Sequence, residues 1–181
     1  HGAGIYDVRI ERVAGNLTDH YDPRNKVLRL SDATYGQCSV AAVGVAAHEC
    51  GHAIQHARGY APLQFRSVLV PVANFGSMIA WPLIVLGLFI NSQSSALLIN
   101  IGILAFSLAV LFQLVTLPVE YNASGRAVRI LAETGMMQGE EIVATKKVLN
   151  AAALTYVASA AAAILQLVRI LILTGGRRRD D

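Results

Sequence analysis

The sequence predicts a mainly α-helical, integral membrane protein with a small N-terminal β element and a transmembrane helical hairpin. Three observations carry that prediction. The 181 residues are 54% hydrophobic and only 15% charged, whereas soluble domains run near a quarter charged. Residues 67–90 and 96–117 hold no charged side chain, and each stretch exceeds the ~20 apolar residues that cross a bilayer as a helix. Residues 39–57 are small, apolar and helical in pattern, yet carry His48 and His52 four positions apart, with His56 a further four on.

The elements follow in order. Ile5-Tyr6-Asp7-Val8-Arg9-Ile10-Glu11-Arg12 partly alternates and reads as a strand. Asp22-Pro23-Arg24-Asn25 reads as a turn, and Lys26-Val27-Leu28-Arg29-Leu30 as the next strand. A helix then runs from the N-cap Ser39 to Ala57 and stops near Gly59. The two uncharged stretches form the hairpin, joined by the polar turn Asn91-Ser92-Gln93-Ser94-Ser95. Pro71 and Pro82 fit there because membrane helices tolerate proline better than soluble ones. Residues 118–131 read as a helix, Gly135-Met136-Met137-Gln138-Gly139 as a break, and Glu140 onward as helix again.

Residues 151–173 are Ala-rich and form a third candidate span, with Arg169 able to snorkel to the interface. The alternative is a long amphipathic element packed on the others. The segments are therefore 1–66, 67–117, 118–150 and 151–181, with no internal repeat and no low-complexity linker. Residue 1 is a histidine with no signal peptide behind it. The sequence is expected to be a fragment or a processed chain, which leaves open an N-terminal membrane segment before it.

His48-Glu49-Cys50-Gly51-His52 matches H-E-x-x-H. Positions i and i+4 share a helix face, so both imidazoles can reach one Zn²⁺. Glu49 sits where it can hold the water that zinc activates by lowering its pKa to about 7. Buried His and Glu within so apolar a helix require a use. Cys38 and Cys50 are too few for a disulfide framework. Cys50 lies two positions from His48, about 200° around the helix, so it reads as a buried free thiol and not a ligand.

A catalytic zinc takes three protein ligands. A third histidine of metzincin type would fall at Arg58, which excludes that class. His56 is two turns from His48, about 12 Å along the axis, too far to share the ion. It reads as a supporting or surface residue. Glu120 is the better choice. A hairpin that leaves shortly after His52 returns the chain to the same membrane face, and Glu120 follows directly on the second stretch. Standing alone it would be an interfacial carboxylate favoured by a helix N-terminus. Beside two histidines it completes a His₂Glu zinc set.

H-E-x-x-H, a membrane hairpin, then Glu120-Tyr121-Asn122-Ala123-Ser124 resembles the gluzincin membrane proteases, and within them the YugP-like family of neutral zinc metallopeptidases. Leu17-Thr18-Asp19-His20-Tyr21-Asp22-Pro23 and Val148-Leu149-Asn150-Ala151-Ala152-Ala153-Leu154-Thr155-Tyr156 are similar to that family too. The resemblance covers nearly the whole chain. It implies a zincin-like fold and a bacterial multi-pass membrane enzyme. Its ligands would be His48, His52 and Glu120, with Glu49 as base. The related HtpX-type proteases carry Glu-x-x-x-Asp, whose Asp supports a zinc-bound imidazole; here Ser124 holds that place.

The expected function is a zinc-dependent endopeptidase acting on membrane or membrane-proximal proteins. The alternatives are a non-proteolytic zinc-binding scaffold, which has no need of Glu49, and a transporter, which the lack of charge in the first two spans disfavours. The bilayer and a protein or peptide are the expected partners, with any membrane complex unnamed. No basic stretch interleaved with aromatics points to nucleic acid. Residues 1–66 hold seven Lys/Arg and residues 118–150 four more, against none at 91–95. The positive-inside rule then puts the zinc site in the cytoplasm. A spanning 151–173 conflicts with this, since it leaves Arg177, Arg178 and Arg179 outside. Substrate is expected to extend along residues 26–30 as an edge strand. Tyr156 and His20 are candidates to stabilise the oxyanion.

Overall fold

The computed structural model describes residues 1–90 and 94–175. It is mainly helical, with one small sheet and several apolar helices. The chain divides into two compact units, one of His1–Gln64 with Pro118–Thr155, the other of Phe65–Leu117 with the residues from Tyr156 onward. Its elements are β1 (Arg9–Val13), β2 (His20–Asp22), β3 (Val27–Ser31), α1 (Val40–Ala57), α2 (Ala61–Phe89), α3 (Ser94–Glu133) and α4 (Glu140–Gly175).

In the first unit the strands are ordered β1-β3-β2, with β1 parallel and β2 antiparallel to β3. The strand expected at an edge is therefore the central one. Val27, Leu28 and Leu30 are buried; because successive side chains point to opposite faces, both faces of β3 are covered. Arg29, its one charged residue, is held from both neighbours: by Glu11 of β1 at 3.3 Å and by Asp22 of β2 at 3.0 Å. β1 starts later than the alternation from Ile5 suggests, and β2 is a strand that the sequence reading did not include.

α1 begins and ends where its sequence says. Ser39 Oγ accepts from the Ala42 N–H at 3.2 Å, and Gly59 leaves the helix at φ +61°. Its inner face packs on Ala127, Leu131, Met137 and Leu149 through Ala47. Gly51 sets the closest approach: a Cβ there would lie 2.5 Å from the Ala123 carbonyl oxygen. Gly135 and Gly139, at φ +69° and +52°, make the expected break between α3 and α4.

Pro118 does not start a helix. It lies inside the 40-residue α3, so Glu120 is a mid-helix residue and no helix-terminus dipole accounts for it. Proline costs one backbone hydrogen bond within a helix.

The second unit is built from small-residue contacts. Added Cβ atoms at Gly76, Gly87 and Gly102 would meet Ala105, Ser95 and Ile99, and Ala80 and Ile84 respectively. These pairs run in opposite directions along the chain, so α2 and α3 pack antiparallel. Large apolar side chains such as Phe75, Met78, Phe89, Leu104 and Leu165 face outward. Among the described residues, α2, α3 and α4 are each long and apolar enough to cross a membrane. Most of the expected turn, residues 91–93, and the arginines at 177–179 lie outside the described residues.

Candidate metal centre

α1 and the part of α3 in the first unit face each other across the Gly51–Ala123 contact, and the polar side chains gather beside it. One turn of α1 brings His48 and His52 together, with ring centroids 4.7 Å apart and planes nearly perpendicular. Glu120 reaches in from α3. Its Oε2 lies 3.2 Å from His48 Nε2 and 3.6 Å from His52 Nε2. One ligand atom from each of the three residues falls within 4.8 Å of the others, a group able to hold a metal ion. Ligand atoms at ~2.0–2.1 Å from a tetrahedral zinc stand about 3.3 Å apart, so the two distances from Glu120 fit. Two soft-to-borderline nitrogens and one oxygen suit zinc chemically as well.

The far nitrogens of both rings are already engaged. Ser124 Oγ lies 3.0 Å from His48 Nδ1, and Gln55 Oε1 lies 3.0 Å from His52 Nδ1. Gln55 also donates to the Val119 carbonyl at 2.8 Å and to Asn122 Oδ1 at 3.0 Å. Asn122 Oδ1 in turn accepts from Arg126 Nε at 2.8 Å. The group is deeply placed: Glu120 is 2% exposed and Gln55 0%.

Glu49 is buried beside the histidines. Burial raises its carboxyl above the ordinary carboxylate range, against the opposing pull of His52, His48 and the Tyr21 backbone amide. At His52 burial disfavours the cation, but the Glu120 carboxylate outweighs it and raises the imidazole. Burial also raises the Cys50 thiol. Cys50 lines a cavity with Val43, Ala47 and Ile54 on one part and Arg58, Arg126, Arg129 and Glu133 on another; His48, His52 and Glu120 do not line it.

The Leu17–Pro23 stretch positions β2. Asp19 accepts from the Ser31 N–H and hydroxyl, both at 2.8 Å, tying the approach to β2 onto the end of β3. Asp22 accepts from the Asn25 side-chain amide at 2.8 Å, from the Arg24 and Asn25 backbone and from Arg29. These contacts hold its carboxyl well below the usual range, Asn25 contributing most. Tyr21 Oη lies 2.9 Å from His56 Nδ1, which gives His56 its use: it ties β2 to α1.

Five residues singled out in the sequence thus converge: His48, Glu49, His52, Glu120 and Ser124. His20 does not join them; its exposed ring meets the Thr18 carbonyl at 2.8 Å and lies 3.4 Å from Arg29 Nη1. Tyr156 belongs to the second unit. Sequence reasoning missed Gln55, Asn122, Tyr21 and Gly51. Gln55 carried a signal, since it stands one turn after His52 on the ligand face.

Residues 1–175 match a family model described as "Putative neutral zinc metallopeptidase". The chain belongs to this family. It is also 47% identical, over 175 residues, to "Putative membrane protease YugP" of Bacillus subtilis (strain 168), covering 96% of this chain and 76% of that protein. No solved structure matches.

Proposed function

We propose that the chain is a zinc-dependent, membrane-integrated endopeptidase acting on membrane or membrane-proximal proteins. One observation carries this: two histidines and a glutamate converge at zinc-ligand spacing, with a second buried glutamate beside them. His48, His52 and Glu120 would hold the ion. When bound there, zinc supplies Lewis acidity to the scissile carbonyl and to the attacking water.

The remaining steps belong to the chain. Glu49 orients the water and takes its proton as the oxygen adds to the peptide carbon. It then delivers that proton to the departing amine as the C–N bond breaks. Ser124 and Gln55 hold the two imidazoles. The edge nearest the site is β2, whose Tyr21 amide faces Glu49, so substrate docks as an extended strand along β2. A scaffold that binds zinc without catalysis leaves Glu49 unexplained.

The membrane reading rests on α2, α3 and α4. A 40-residue helix is about 60 Å long, twice the ~30 Å hydrocarbon thickness. In α3 the uncharged part precedes Pro118, and the polar part carries Glu120 and Ser124. Basic residues flanking the site support a cytoplasmic orientation in a bacterial cell membrane. In a Cys38→Ser background, Ser94→Cys should then be labelled from outside intact cells and Gln138→Cys should not; the reverse order would put the site outside.

The deciding experiment compares wild type with Glu49→Gln for zinc content and for cleavage of casein and membrane proteins. The variant should keep its zinc and lose at least ~100-fold in turnover. Equal cleavage by both proteins would remove Glu49 as the base.

A further inference from the structure

We propose that Gln55 is a positioning residue that fixes the tautomer of His52 and locks that ring to the turn of α3 bearing Glu120. The inference rests on the zinc reading above and extends it to a residue three places beyond the motif.

The hydrogen-bond logic is closed. The Val119 carbonyl can only accept, so the end of Gln55 that lies 2.8 Å from it is the amide NH₂. The same NH₂ meets an Asn122 atom at 3.0 Å. Arg126 Nε, which can only donate, lies 2.8 Å from that atom and fixes it as oxygen. The other end of Gln55 is therefore Oε1, and it faces His52 Nδ1 at 3.0 Å. An amide oxygen cannot donate. His52 Nδ1 must carry hydrogen, so in the neutral ring that binds a metal Nε2 keeps its lone pair, on the side of Glu120 and His48.

His48 lacks this constraint. Its partner, the Ser124 hydroxyl, can donate or accept, so it suits either tautomer. The two ligand rings are thus held differently, and only the Gln55 contact is directional.

Burial makes the arrangement matter. Gln55 is fully enclosed, so no water can replace a lost partner. Val119 immediately precedes Glu120, so one side chain orders His52 and pins the backbone beside the carboxylate ligand. Without Gln55, His52 Nε2 can carry the hydrogen and turn it to Glu120 Oε2, 3.6 Å away, in competition with a metal ion.

The test uses purified wild type, Gln55→Met and Gln55→Glu in detergent. Zinc affinity is read by chelator competition, the absorption bands of the cobalt(II)-loaded protein report ligand geometry, and thermal unfolding reports the metal-free fold. Gln55→Met removes the acceptor and should weaken zinc by ~10- to 100-fold, the usual loss for a group supporting a ligand, and shift the cobalt bands. Gln55→Glu restores an acceptor for Nδ1–H but not the donor to Val119. It should recover most of the affinity and the wild-type bands while the metal-free protein stays less stable.

If Gln55→Met does not fold, Gln55→Asn keeps the amide but shortens its reach, and should likewise weaken zinc and shift the bands. Equal weakening by Met and Glu would reduce Gln55 to a packing role, and wild-type affinity in Met or Asn would end the proposal. His48→Ala and Glu120→Ala separate the two levels. If they too bind zinc like wild type, the metal reading itself fails; if they lose zinc while Gln55→Met does not, only the role of Gln55 fails.

Discussion

The first unit buries polar groups; the second exposes apolar ones. In the first, Glu49, His52, Gln55, Glu120, Ser124, Thr145 and Ser31 are all enclosed. Among the described residues no buried side-chain nitrogen or oxygen lacks a partner. In the second, the buried positions of α2 are Leu69, Ala73, Gly76, Ala80, Ile84 and Gly87, while Phe75, Met78, Trp81 and Phe89 of the same helix face out. Burying an unpaired polar group in an apolar interior costs on the order of 1–3 kcal/mol, so the first pattern is maintained only where the groups satisfy one another and serve a purpose. The second pattern suits a hydrocarbon solvent, in which helices associate through small residues and not by excluding water. A change in the first unit should therefore be read out at the metal. A change in the second should be read out in helix association.

The sharpest break of that contrast is Glu120→Ala. It removes one of the three groups placed to hold a metal ion and leaves the two histidines without their carboxylate partner. Zinc affinity should fall by well over ~10-fold, since even supporting groups cost that much. Isothermal competition with a chelator measures it. Full zinc occupancy would make Glu120 a structural carboxylate that merely accepts from two imidazoles.

A pair of glycine substitutions tests the two packing regimes directly. Gly51→Ala would drive a Cβ to 2.5 Å from the Ala123 oxygen. The neighbour is backbone, so α3 must move, at ~1–3 kcal/mol for overpacking. That shift carries Glu120 and Ser124 away from α1, so zinc should weaken along with stability. Gly102→Ala would meet Ile84 Cγ1 at 2.6 Å and the Ala80 oxygen at 2.9 Å. It should lower thermal stability by a similar amount yet leave zinc affinity alone. Equal loss of zinc in both variants would erase the distinction between the units. Gly125→Ala is the control: nothing lies within 4 Å, and replacing a helical glycine should stabilise by up to ~1 kcal/mol.

Much of this architecture is visible in the chain alone, for identifiable reasons. Ser39, His48, Glu49 and His52 are local, and helix periodicity delivers them to one place. Glu120 and Ser124 required one topological step, the return of the chain after two apolar stretches. The failures are equally physical. β2 is three residues, His20-Tyr21-Asp22, too short to show alternation. β3 looked like an edge because nothing in Val-Leu-Arg-Leu-Ser announces a parallel partner that precedes it by 18 residues in register. Only the two carboxylates on Arg29 reveal it. Pro118 reads as a helix start, yet α3 runs through it, because an apolar setting stabilises helix strongly enough to absorb one missing hydrogen bond. Gln55 was passed over because a lone glutamine on a helix usually faces water; its burial exists only once α3 is in place.

The smallest effect expected is at Ser124, where the two units' rules make opposite forecasts. If the hydroxyl orients His48, as its 3.0 Å approach to Nδ1 suggests, Ser124→Ala should weaken zinc several-fold, below the ~10- to 100-fold range of stronger supporting groups. Ser124→Asp should be tolerated or tighten binding, because a carboxylate holds an imidazole N–H more firmly than a hydroxyl does. If Ser124 is instead only a small residue that lets helices approach, as in membrane bundles, Ala should be harmless. Asp should then be damaging, because it buries a charge at a position only 6% exposed. Zinc retention in the two variants separates the cases. A harmless Ala with a damaging Asp would extend the packing rule of the second unit into the metal site.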